Sequence, residues 1–371
     1  MNITKTKQRL DYLDNIKWIL IFMVIAHHTC IAFGGPGGGG YYSIPISSEL
    51  SKNILGLYLG FQQIFFMTLF FAISSYFLIP SLVKKGNQQF IIDRLKRLGI
   101  PLLFMILILV PIMKLWQDYL YEKPLNFSIN IFDLDQMWFV RTLLIFTFIA
   151  LIYWGIFGSE KNFKQIEKSK ALSHKNIAIF IIILTVIQVL ALLLIPKIIP
   201  KEILNKIIPF FSASGINDAI IYVVYFYIGI RAWRERWLET LSIKTTIPWF
   251  IVALILYFSQ IPLYFMNVDN IGSIIVNDVG RPLICTGICL FMIAFFKRYF
   301  NKHIKLTKNL ALAAYTAYIF QRPFITAATL IVEKFHLSSI PSFLIAALLA
   351  IIATFFVSHF IRKLPVARNI L

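Results

Sequence analysis

Ten times along this chain an apolar run close to membrane-spanning length is followed by a short polar segment, and that recurrence restricts the fold more than any other feature. The runs fall at roughly 16–33, 55–79, 98–115, 137–157, 177–196, 218–232, 247–265, 279–296, 309–331 and 341–361. A spanning helix needs about 20 mostly apolar residues, and the sixth run is the shortest of the set. Composition agrees: 58% of the residues are hydrophobic and only 14% charged, with a mean hydropathy of +0.76. Such a chain has too few polar groups to cover a water-facing surface, which excludes an ordinary soluble protein. The expected fold class is all-α, a polytopic integral membrane protein of about ten transmembrane helices. The connecting segments are too short for a second domain and no solenoid-type repeat recurs, so residues 1–371 read as one transmembrane domain.

The chain carries 36 Lys and Arg against 17 Asp and Glu, a net charge of +19. Their placement explains the excess. The segments before the first run and after the second, fourth, sixth, eighth and tenth hold 3, 5, 5, 4, 5 and 3 cations, 25 in all with Arg231 at the close of the sixth run counted among them; the intervening ones hold 1, 1, 3, 0 and 1, or 6. Lys5, Lys7, Arg9, Lys84, Lys170, Arg236, Lys305 and Arg362 belong to the richer set. Cytoplasmic loops retain cations during insertion, so both termini are expected on the cytoplasmic side. The basicity is a record of topology and calls for no nucleic acid. The first run follows a basic start and lacks a small-x-small cleavage site, so it reads as a retained helix.

Two other features read as structural. Cys285 and Cys289 lie four apart on one helix face and Cys30 stands alone, all within apolar runs, which argues for packing residues and against a metal or a disulfide framework. The glycine stretch from Gly34 to Gly40, broken by Pro36, lacks the Gly-Lys-Ser/Thr ending of a phosphate loop and reads as a flexible connector.

Ionisable groups at bilayer depth cost about 2.5–3.5 kcal/mol or more, so each is a site hypothesis. The first run is the richest. Lys17 and His28 are eleven residues apart, about 20° past three full turns, and so share one helix face with an axial rise of about 16 Å. Asp14 lies within about 40° of that stripe and is placed to pair with Lys17 at i,i+3, while His27 points about 80° from Lys17. Taken alone, such a lysine reads as snorkelling and such a histidine as bonded to a neighbouring helix. Their company favours a site. Asp133, Asp135, Trp138 and Arg141 open the fourth run, Asn277, Asp278 and Arg281 open the eighth, and Gln321 and Arg322 sit in the outer half of the ninth. By the expected topology all these match the depth of His28, which suggests a polar cavity open to the outer side. On the inner side Arg94 and Arg97 are i,i+3 neighbours, spaced either to hold phosphates or to anchor the chain on anionic lipid.

These residues resemble a known family. The segment from Tyr12 to His28 is similar to the opening helix of the membrane-bound acyltransferase family 3, marked by an arginine, ten residues and a histidine. Phe70-Phe71-Ala72-Ile73-Ser74-Ser75 resembles its Phe-Phe-x-x-Ser-Gly, and Phe90 through Arg94 and Arg97 to Pro101 resembles its arginine pair. Met137-Trp138-Phe139 resembles its Trp-Phe, and Tyr315-Thr316-Ala317-Tyr318 through Pro323 its Ser-Tyr-x-x-Tyr stretch. The likeness covers the whole chain. Lys17 stands where the family usually has arginine, Ser75 where it has glycine, and Gln321 where many members have histidine. An appended soluble esterase-like domain, present in some members, is not expected here.

The resemblance implies an O-acyltransferase of the bacterial cytoplasmic membrane that moves a short acyl group from cytoplasmic acyl-CoA, acetyl-CoA first among donors, to a hydroxyl of a cell-envelope carbohydrate or glycolipid. No bound cofactor is implied. On that reading His28 is the base or the acyl acceptor, with Lys17 and Asp14 beside it in the catalytic set. Arg94, Arg97 and Lys17 hold the phosphates of acyl-CoA. His27, Asp133, Asp135, Trp138, Arg141, Arg281, Gln321 and Arg322 bind the acceptor or line the cavity. Two rival readings are a transporter or exporter of a glycolipid, polyol or organic anion working through the same cavity, and a scaffold partner in envelope synthesis whose buried charges are dispensable.

Overall fold

The computed structural model describes residues 10–37, 40–159, 163–259, 261–262, 279–302 and 304–370. It is all-helical, with 80% helix and no strand among the described residues. We number the ten long helices α1 (Asp11–Ala32), α2 (Glu49–Tyr76), α3 (Asn87–Leu120), α4 (Trp138–Phe157), α5 (His174–Ile198), α6 (Ile216–Arg234), α7 (Ile243–Phe258), α8 (Arg281–Tyr299), α9 (Lys305–Glu333) and α10 (Ser339–Ile361). Each contains all or most of one apolar run, except that the end of the seventh run, like Lys5, Lys7, Arg9, Asn277 and Asp278, lies outside the described residues.

Among the described residues seven helices are long and apolar enough to cross a membrane: α1, α4, α5, α8, α10, α3, and α2 extended by Leu78–Lys85. The other three depart for readable reasons. α7 has only 16 residues, α6 carries Asp218 with Arg231 and Arg234, and α9 carries Gln321 and Arg322 at its centre. The protein is thus a multi-pass membrane protein.

α1 is the hub, packing against α2, α8, α9 and α10. Being surrounded, it buries residues around its circumference, from Ile16 and Leu20 to Val24, Ile25 and Thr29. Its first turns are fastened by Asn15, 1% exposed, whose amide donates to the carbonyl of Phe300 at 2.7 Å and whose oxygen accepts from the Trp18 indole at 3.1 Å. α9 packs along α10, α7 along α8, and α2 along α6. At the last crossing Gly229 of α6 lies so close to the Ala72 carbonyl and the Ser75 hydroxyl that no Cβ would fit. The serine that replaces the family's glycine therefore meets a glycine on the opposing helix.

α3 contains two π-helical turns, at Leu95–Gly99 and Met105–Leu109. Each precedes a proline, Pro101 and Pro111. A proline inside a helix lacks an N–H and crowds the carbonyl four residues earlier, and a widened turn relieves both. The carbonyl Pro101 cannot meet is that of Arg97; the Tyr315 hydroxyl of α9 donates to it instead, at 2.8 Å. Arg94 closes the α-helical stretch before the first widened turn and Arg97 lies within that turn.

Candidate active site

The second half of α1 ends at a cavity of about 590 Å³ lined by polar and apolar groups from four helices and three connecting segments. His27 and His28 both face it. Their rings are 5.5 Å apart and perpendicular, and His27 also packs on Phe66 of α2 at 5.2 Å. Both are partly exposed, and the Nδ1 atom of each is buried with no hydrogen-bond partner among the described residues. It is through the rest of each ring that the two histidines line the cavity.

Opposite the histidines the wall is a charged network. Arg322 donates from Nε to an oxygen of Asp135 at 2.9 Å and to the side-chain oxygen of Gln136 at 2.6 Å, and pairs through Nη2 with the other Asp135 oxygen. Tyr41 donates its hydroxyl to the same carboxylate at 3.0 Å, with its ring beneath the guanidinium at 5.7 Å. Gln136 in turn donates to the carbonyl of Ile319 at 3.1 Å, while the Tyr318 hydroxyl donates to the Gln136 carbonyl. Arg322 is 3% exposed; a charge so buried needs this fork of acceptors to persist. Asp135 adopts φ +42°, a left-handed conformation that aspartate tolerates better than most residues, in a 3-10 turn over Asp135–Met137 that leads into α4. Trp138, the next residue, lines the cavity and stacks on Tyr222 at 5.8 Å.

Asp133 lies on the rim, 3.4 Å from the Lys114 ammonium. Burial works to raise its pKa, but the Leu134 amide and Lys114 outweigh that and hold the carboxyl below its usual range. The glycine-rich segment is more than a connector. Gly34 at φ +90° turns the chain back over the end of α1, the Gly35 amide bonds the Cys30 carbonyl at 3.0 Å and that of Ile44 the Ala32 carbonyl at 2.8 Å, and Pro36 and Gly37 form part of the cavity wall.

Three residues expected at the cavity do not line it. Arg281 is paired with Asp218 and donates to the Gln63 carbonyl at 3.2 Å, one layer behind the wall. Gln321 is fully buried and donates back to the Tyr318 carbonyl at 2.9 Å. Arg141 donates to the Pro209 carbonyl and lies over the Phe210 ring at 4.9 Å, tying α4 to the segment before α6. Helical phase on their own elements put them at the right depth but could not tell inward from sideways.

Gln63, Gln136, Ser214 and Tyr41 are the residues the sequence reading missed. Gln63 donates to Ser214 at 2.8 Å and to Asp218 at 3.3 Å, joining the cavity wall to the Asp218–Arg281 pair. Asp218 and Gln63, polar groups within apolar runs, were available as signals; Tyr41 and Ser214 lie in loops and offered none.

Lys17 sits at the other end of α1. Its ammonium meets Asp14 at 3.2 Å and the Phe77 ring at 4.8 Å, with 35% of the side chain exposed. Neither it nor Asp14 lines the cavity, as the rise of about 16 Å along the axis requires. Arg94 is half-buried over Phe90 at 5.0 Å and Arg97 is exposed. Cys285 and Cys289 have their sulfurs 4.0 Å apart inside the packing of α8 against α2.

A many-helix membrane protein with a polar cavity and two adjacent imidazoles fits both membrane-embedded enzymes and carriers. The comparison with known families narrows it: the family described as an acyltransferase domain, acyltransferase 3, matches residues 10–359. The chain belongs to the acyltransferase 3 family and is an acyltransferase. No curated protein and no solved structure matches it.

Proposed function

We propose that the protein transfers a short acyl group, acetyl in the first instance, from acyl-CoA in the cytoplasm to a hydroxyl of a carbohydrate or glycolipid on the far side of the cytoplasmic membrane. On the topology expected from the charge pattern, ten spans with both termini inside, the basic Lys17 end of α1 faces the donor and the His27–His28 end the acceptor. The observation that carries the reading is the placement of two imidazoles side by side on a polar cavity in a chain of an acyltransferase family.

A sugar hydroxyl is too weak an acid to attack a thioester unaided, and an imidazole is the side chain suited to take its proton near neutral pH. His28 plays that part. It removes the hydroxyl proton as the oxygen attacks the thioester carbon, the C–S bond breaks and coenzyme A leaves as a thiolate that takes up that proton; or its own nitrogen displaces the coenzyme A thiolate first, and the hydroxyl oxygen then displaces the imidazole from the acyl carbon. In either route negative charge builds on the carbonyl oxygen. Arg322, held by Asp135 and Gln136 so that its guanidinium cannot swing away, offers a fixed positive charge on the same cavity for that oxygen or for an acidic acceptor. Arg94, Arg97 and Lys17 hold the phosphates of the donor, with Asp14 orienting Lys17.

Purified protein in lipid nanodiscs, given acetyl-CoA labelled in the acetyl group, tests this. The expected result is release or transfer of label that disappears in His28→Ala. Intact acetyl-CoA after incubation, alongside movement of a solute or glycolipid across the bilayer, would instead establish the carrier reading.

A further inference from the structure

A second cavity, distinct from the histidine site, lies between α5, α6 and α8 toward the opposite end of the bundle. It measures about 570 Å³ and its walls are apolar, with Leu69 and Ile73 of α2, Phe180 of α5 and Leu290 and Ile293 of α8 among them. Its size is that of a site for one small molecule or one chain. Two properties of its boundary say what kind. First, its side wall opens between α5 and α6 through Ile179, Ile183 and Tyr227, which are 45%, 52% and 53% exposed. Apolar side chains so exposed on the flank of a membrane protein face lipid tails, so the cleft is entered from within the bilayer. Second, its end abuts a pocket of about 490 Å³ that includes Lys168, Lys170, Arg231 and Arg234, with Glu235 as its one acid. The two cavities share Lys170, Arg231 and Glu235.

The cationic pocket is built, not incidental. Glu235, 7% exposed, pairs with Arg231 and with Lys170 at 3.5 Å and accepts from the Trp237 indole at 2.9 Å, so one acid gathers two cations and an indole. The loop carrying Lys168 and Lys170 is pinned to the end of α6 by the Ile166 amide on the Arg234 carbonyl and the Lys170 amide on the Glu235 carbonyl, both at 3.0 Å. Among the described residues the lining of this pocket holds four cations and one acid.

We propose that this joined cleft and pocket binds an anionic phospholipid, one acyl chain lying in the apolar cleft and the phosphate group against Lys168 and Lys170. Charge complementarity selects an anionic over a zwitterionic headgroup. The lateral, lipid-facing mouth selects a lipid over acyl-CoA, which arrives from water, and none of Lys17, Arg94, Arg97, His27 or His28 lines the cleft. The site stands whether or not the acyl-transfer reading does.

Native mass spectrometry of the delipidated full-length protein, titrated with palmitoyl-oleoyl phosphatidylglycerol or the matching phosphatidylcholine, tests it. One phosphatidylglycerol should be retained per chain and phosphatidylcholine should bind far more weakly. The double variant Lys168→Gln with Lys170→Gln, at two exposed positions, should cut phosphatidylglycerol retention roughly tenfold; Ile183→Trp, which fills the mouth, should weaken both lipids; His28→Ala should change neither. Equal retention of the two lipids, retention unaffected by these cleft and pocket variants, or displacement of phosphatidylglycerol by acetyl-CoA would each overturn the proposal, the last by handing the cleft to the donor.

Discussion

The two ends of α1 hold charge in opposite ways. At the histidine end the cavity is walled by Asp135 and Arg322, both nearly inaccessible at 8% and 4% of their side chains and forked together, and backed by the equally buried Asp218–Arg281 pair at 3% and 10%. At the lysine end the Lys17–Asp14 pair is 35% and 23% exposed, and on α3 Arg94 is half-buried just before a π-helical turn that carries the exposed Arg97. Buried charge survives only where tertiary structure supplies a partner from another helix. Interfacial charge is stabilised by water and lipid headgroups and needs none. The two ends therefore differ in what holds their charge in place: partners from other segments at one, solvent and headgroups at the other.

If that contrast is right, the largest single effect belongs to the histidine end. His28→Ala should lower acyl transfer by about 10²–10⁴-fold, followed with labelled acetyl-CoA on protein that still elutes as a folded species; a larger loss from His27→Ala would move the base one residue back. Next comes the fork. Arg322→Gln leaves the Asp135 carboxylate buried beside only Tyr41, and such an unpaired charge should cost about 3–5 kcal/mol of stability. Thermal unfolding in detergent reads this, and the double variant Arg322→Gln with Asp135→Asn should recover much of the loss; a double variant no more stable than the single one would mean that the pair does not act as a unit. At the lysine end the effects should fall on donor affinity. Arg94→Gln and Arg97→Gln should each raise the KM for acyl-CoA by about tenfold, the worth of one charge-assisted hydrogen bond, with kcat nearly unchanged. Smallest should be the stability change on Lys17→Met, about 0.2–1 kcal/mol for a half-exposed pair; a loss as large as that of Arg322→Gln would erase the distinction between the two ends.

Much of this contrast was legible residue by residue. The phase of Lys17 and His28 on one helix, the i,i+3 pairing of Asp14 with Lys17, and Asp135, Trp138 and Arg322 as polar groups at one depth all follow from 100° per residue and the cost of burying charge. The geometry agrees for the pair and for those three on the cavity. Arg141, Arg281 and Gln321 satisfied the same depth argument and yet turn to the Pro209 carbonyl, to Asp218 and to the Tyr318 carbonyl. Depth is a property of one helix; convergence depends on how several helices are rotated about their own axes. The loop contributions were out of reach for a related reason: Tyr41 and Pro36 gain their positions only because the chain after Gly34 folds back on α1.

By itself the sequence determined that this chain lives in a bilayer as a bundle of helices, which helix faces are polar, and which family the motifs resemble, because apolar run length and helical period are local properties that no neighbour can alter. Only the tertiary structure decided which charges meet. The Arg322–Asp135–Gln136 fork joins residues about 187 positions apart, the second cleft draws on α1, α2, α5, α6 and α8 together, and the widened turn at Arg97 is completed by a tyrosine from α9. Inside a membrane a polar group must find its partner within the protein, and the choice among partners is made by packing, which no single segment encodes.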